Sequence, residues 1–72
     1  MSAIGDLLSQ LEGADAETVP FFIRQLLQHE DLPNLQGGDA LRASRPIAVH
    51  AGPQQLPIAG ELAGRAHKAG IP

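Results

Sequence analysis

Cysteine, tryptophan and tyrosine are absent from the chain, and its only aromatic residues are Phe21 and Phe22. The lack of cysteine excludes a disulfide staple, a thiolate nucleophile and a sulfur-ligated zinc site. It leaves the redox compartment open, with a cytoplasmic chain as the default. A chain of 72 residues is one small domain at most, with a modest core. With so few large side chains, a water-excluding pocket for a small-molecule substrate is not expected. Long apolar runs are missing too. The longest, around Val19–Ile23, is far short of the roughly 20 residues of a spanning helix. The opening MSAIGDLLSQLEG has neither the basic start nor the apolar stretch of a secretory signal.

Catalytic and metal-binding patterns are equally sparse. His29, His50 and His67 lie far apart, and no HxxxH or HExxH spacing occurs. His29 beside Glu30 and Asp31 reads as a cation near the end of a helix, where the dipole favours it. Of the hydroxyls, Ser2 and Thr18 read as helix caps and Ser9 as a polar-face residue. Ser44 lies between Arg42 and Arg45 without a base nearby in sequence. Gly37-Gly38-Asp39 is not followed by the GK[ST] of a phosphate loop. These absences predict a chain that is not an enzyme, with no cofactor, no metal and no catalytic residues.

Charge divides the chain in two. Residues 1–38 carry six carboxylates against Arg24 alone, net −5, and residues 39–72 carry four cations against Asp39 and Glu61, net +2. An acidic front and four scattered cations are a poor match to a phosphate backbone, so nucleic acid is not expected as a partner.

What is present begins with two amphipathic segments. Ile4, Leu7, Leu8 and Leu11 recur at three and four, which predicts a helix capped by Ser2, with Gly13 in a left-handed closing position. Gly5 weakens its middle by about 1 kcal/mol relative to alanine. In ADAETVPFFIRQLLQHE, Asp15 or Thr18 caps a second helix and Pro20 belongs in its first turn. Val19, Phe22, Ile23, Leu26 and Leu27 share one face, and Phe21 projects instead among Arg24, Gln25 and Gln28. The two segments predict an antiparallel helical hairpin over residues 1–31.

The second half has less to fold with. Of the large apolar residues, 13 fall in residues 1–35 and 7 in residues 36–72, where six of the eight glycines and four of the six prolines also lie. Ordering a residue costs about 1–2 kcal/mol of backbone entropy. Seven side chains at roughly 1.5–3 kcal/mol each do not offset that over 37 residues. The pattern predicts an irregular, extended arm over 39–72 that is ordered by a partner. Within it, Asp39–Ser44 reads as a short helical turn capped by Asp39 and stopped by Pro46. Ile47, Val49 and Ala51 alternate as a minimal strand. GPQQ is a turn, and LPIA returns as an edge strand confined by Pro57. The tail, with Ile58, Leu62, Ala66 and Ala69 on one face and Gly70 as cap, reads as a weak third helix.

Between the halves lies LPNLQGG, residues 32–38. It reads as a turn or hinge covered by Leu32 and Leu35. It also reads as a cut site: Leu27, Leu32 and Leu35 stand at set spacings before Gly37-Gly38, and the charge changes sign there. In this it resembles the leaders of double-glycine precursor peptides. The resemblance covers about 15 residues and implies cleavage after Gly38, with release and secretion of a cationic 34-residue peptide. Pro33 departs from a helical leader, and the released piece has no cysteine or threonine for ring-forming modification.

The sequence therefore predicts a mainly α fold, a helical hairpin followed by an extended irregular arm with a short strand and a weak terminal helix. The predicted function is that of a non-catalytic accessory or structural subunit, docked on a larger protein or a homo-oligomeric assembly in the cytoplasm or in a particle. Phe21, Phe22, Leu26, Ile47, Val49 and Leu62 are the expected partner-binding residues, and Gly37 and Gly38 the alternative processing site.

Overall fold

The computed structural model describes residues 3–71; the predicted Ser2 cap lies outside them. Four α-helices follow in order: α1 (Ala3–Glu12), α2 (Val19–Gln28), α3 (Gly37–His50) and α4 (Leu56–Lys68). Short 3-10 turns at Leu32–Asn34 and Pro53–Gln55 join α2 to α3 and α3 to α4. There is no strand among the described residues.

Each front helix buries the stripe its spacing marks. α1 buries Ile4, Leu7, Leu8 and Leu11, and α2 buries Val19, Ile23 and Leu26 with Phe22 and Leu27 half-buried beside them. Pro20 sits in the first turn of α2, where its missing N–H has no helical acceptor to lose. Thr18 occupies the N-cap position without a capping bond; its N–H and hydroxyl donate instead to the Asp15 carboxylate at 3.1 and 2.9 Å. Gly13 is not left-handed; the positive-φ glycines are Gly37, Gly52 and Gly70.

The second half departs from the extended arm that its composition predicts. α3 starts at Gly37 and runs without interruption through Pro46 to His50. Asp39 does not cap it and accepts a hydrogen bond from Arg42 at 3.2 Å. Ile47 and Val49 do not share a strand face: Ile47 is buried and Val49 exposed, as two residues of separation require on a helix. Pro57 is in the first turn of α4 and not on a sheet edge. Gly70, at φ +84°, closes α4: Ile71 N–H donates to the Ala66 carbonyl and Gly70 N–H to that of His67, both at 3.0 Å.

Small side chains explain the difference. Ala40, Ala43 and Ser44 of α3 and Ala59 and Ala66 of α4 are all buried, and among the described residues these two helices make the most extensive helix–helix contact. Alanine faces let backbones approach closely, so apolar burial comes from Cβ and main-chain atoms that a count of large residues leaves out. Ile71 returns to pack over Gly37 and Gly38, so the end of α4 lies beside the start of α3 and the pair is antiparallel. The arm also has no need of a core of its own. Leu35, Ile47 and Leu62 join Leu8 and Leu26 in one cluster. The radius of gyration, 11.2 Å, matches the about 11 Å of a compact domain of this length.

Candidate functional site

The stretch that links the halves is pinned at several points. Leu32 and Leu35 are buried. Arg65 on α4 donates to the carbonyls of Pro33 and Leu35 through one terminal nitrogen, and to the Glu61 carboxylate at 2.9 Å through the other. At the end of α2, His29 takes the C-cap position, and its Nδ1 accepts a hydrogen bond from Asp31 N–H at 3.1 Å.

These contacts frame a groove of about 250 Å³ between the end of α2 and the first turns of α4. Buried Leu32 and Leu62 and half-buried Leu27 line it, with exposed Pro33 and Ile58 at its edges. Its polar groups are His29, Glu61 and Arg65. Arg65 is engaged by Glu61 and two carbonyls, so the groove presents an apolar bed, one imidazole and an Arg65–Glu61 ion pair. A second hollow lies on the other side of Leu27, between Pro20 and Arg24 of α2 and His50 and Ala51 at the end of α3. A third sits by Arg42 and Arg45, between α1 and α3.

The predicted partner-binding residues divide sharply. Leu26, Ile47 and Leu62 are core residues, at 0, 0 and 2 % exposure, and offer a partner almost no surface. Phe22 is half-buried, with Phe21 edge-on to it at 5.5 Å between ring centroids. Phe21 and Val49 are open to solvent, at 60 and 74 %. Leu56 and Ile58 are the other exposed large apolar residues among the described ones; the sequence places both in a returning edge strand and Ile58 also on the tail helix, and names neither as partner-binding. The sequence sets Ile58 on one face of the tail helix with Leu62, Ala66 and Ala69; the buried face is instead Ala59, Leu62 and Ala66, and the 3.6-residue phase puts Ile58 at its edge. Gly37 is half-buried and left-handed at φ +58°, and Gly38 is exposed in the first turn of α3.

Ser9, Thr18 and Ser44, and the acids Glu12, Asp15, Asp39 and Glu61, are held in structural bonds. Ser44 donates to the Leu41 carbonyl at 3.0 Å. Arg42 donates to both oxygens of Glu12, at 3.0 and 2.8 Å, and to Ser9 Oγ at 3.2 Å, which ties α3 to α1. The hydrogen bond from Arg42 holds the Glu12 carboxyl below its ordinary range, and Glu12 in turn raises Arg42. Thr18 lowers Asp15 in the same way. No group of three or more His, Asp or Glu side chains that would hold a metal occurs among the described residues, and no helix there is long and apolar enough to cross a membrane. No protein-family model, curated protein or solved structure matches the chain.

Proposed function

We propose that the chain is a non-catalytic accessory or structural subunit that docks on a larger protein assembly through the groove between α2 and α4. The observation that carries this reading is the groove itself: an apolar bed, rimmed by polar groups and open at Ile58. Its volume lies below the roughly 300 Å³ at which small-molecule pockets begin, which favours an anchor side chain over a metabolite. The non-catalytic part is supported by the bonds of Ser9, Thr18 and Ser44, which run to Arg42, Asp15 and Leu41 and not to a histidine. The setting is the cytoplasm or a particle. A photo-crosslinking residue placed at Ile58 in the cells that make the protein tests this. One discrete adduct is expected there and none from Gln10, on the exposed face of α1. Identical adducts from both positions, or none from either, would contradict it.

One feature favours a second reading, that of a precursor cut after Gly38. α3 begins at the glycine pair, so the cut would free nearly all of α3 together with α4, the best-packed helix pair. Leu32 and Leu35 are buried in the fold, so an exporter would read them only in an opened chain. The intact mass of the chain from cells and from medium decides this. A fragment starting at Asp39 supports cleavage, and a full-length mass in both places removes it.

A further inference from the structure

We propose that the end of α4 is a latch that keeps residues 33–38 out of reach of a peptidase, with Arg65 and Ile71 as its two contacts. The latch rests on the reading of a cut after Gly38 and adds what controls that cut. A peptidase that takes its substrate as an added strand needs an extended backbone with free carbonyl and N–H groups. Most of this stretch is not extended. Leu32–Asn34 is a 3-10 turn, Gly37 is left-handed at φ +58°, and the Gly38–Asp39 bond lies in the first turn of α3. Leu35 and Gln36 are extended, but the Leu35 side chain is buried.

The two contacts close what is left. Arg65 donates to the carbonyls of Pro33 and Leu35, which takes up main-chain acceptors that a peptidase would use. The glycine pair has no side chains of its own to cover its backbone, and Ile71 supplies one. Its Cδ1 lies 3.6 and 3.8 Å from where a Cβ would stand on Gly37 and Gly38. Ile71 reaches that place because Gly70 turns the chain back at φ +84° and the Ala66 carbonyl holds Ile71 N–H at 3.0 Å. Both contacts come from one element, so a single local opening of the last turns of α4 releases Pro33, Leu35 and the glycine pair together. The link between α1 and α2 is a built-in comparison: residues 15–18 are exposed and lie outside the latch.

Brief digestion of the full chain with subtilisin, a protease of broad sequence tolerance, tests this, with first cuts located by intact mass. The wild-type chain should be cut within 33–38 more slowly than within 15–18. Arg65→Ala should speed the cut within 33–38 roughly tenfold, the scale of a lost charge-assisted hydrogen bond, and leave the rate within 15–18 unchanged. Ile71→Ala, a half-buried site beyond the end of α4, should act in the same direction without touching the core helices. A wild-type chain cut within 33–38 as fast as within 15–18 would overturn the proposal. So would variants cut there no faster than wild type, or variants in which both sites speed up equally, since the end of α4 would then guard the whole fold and not this stretch. The latch and the cut fail separately. A fragment starting at Asp39 in cells without a latch in the digest keeps the cut and rejects the latch. A latch in the digest with a full-length mass in cells and medium rejects the cut alone.

Discussion

Arg42 is the residue that joins the two halves by charge, with Glu12 and Ser9 on α1 and Asp39 on its own helix as partners. The pair is substantially exposed, so the link is worth no more than about 1 kcal/mol. Its sign with pH is fixed. Glu12 has a folded-state pKa below its ordinary value, so its contribution is complete above the unfolded value and is lost as pH falls through the folded one. Glu12→Gln should therefore lower stability by about 0.2–1 kcal/mol at neutral pH, with the difference from wild type vanishing in acid. Urea midpoints of both proteins measured from neutral to acid pH check this. A gap that widened in acid would contradict the assignment.

At the scale of elements, α3 is the test case. Pro46 removes one N–H, leaves the Arg42 carbonyl without its usual donor and crowds the preceding turn, at about 3 kcal/mol in a helix interior. The helix persists because Ile47, one residue on, is fully buried in the shared core. Pro46→Ala should raise stability by about 1–2 kcal/mol, the helical gain less the freedom returned to the unfolded chain. A helix that ended before Pro46 would show no such gain. Ala43→Leu should lower stability by about 1–3 kcal/mol, because its site at 0 % exposure has no room for three more carbons. Thermal melts of both variants report these changes. The amphipathic stripes of α1 and α2 are legible in the sequence because large residues recur at helical spacing. α3 and the start of α4 are not, for two physical reasons. Ile47-Ala48-Val49 alternates in a way that suits a strand as well as a helix. The buried face of α3 is otherwise made of alanine and serine, which carry almost no periodic signal. The groove is less legible still, since it depends on Arg65 reaching Pro33 and Leu35 across some thirty residues of sequence.

At the scale of the whole molecule, one core serves both halves, and the apparent deficit of residues 39–72 disappears once they share it. At roughly 0.05–0.15 kcal/mol per residue, total stability is about 4–11 kcal/mol. Leu26→Ala, at a site with no exposure, should cost about 2–5 kcal/mol and bring the chain close to unfolding. Helicity in α3 and α4 should fall along with that in α1 and α2, as one transition by circular dichroism. Separate transitions would mean two independent units. The central claim, that the second half is a helical pair built into this core and so able to form one wall of a docking groove, is tested most directly by amide exchange on the dilute, isolated chain. The account predicts protection through Ala40–His50 and Ala59–Lys68 comparable to that of α1 and α2. Unprotected exchange over those residues, with protection appearing only when a partner is added, would contradict it.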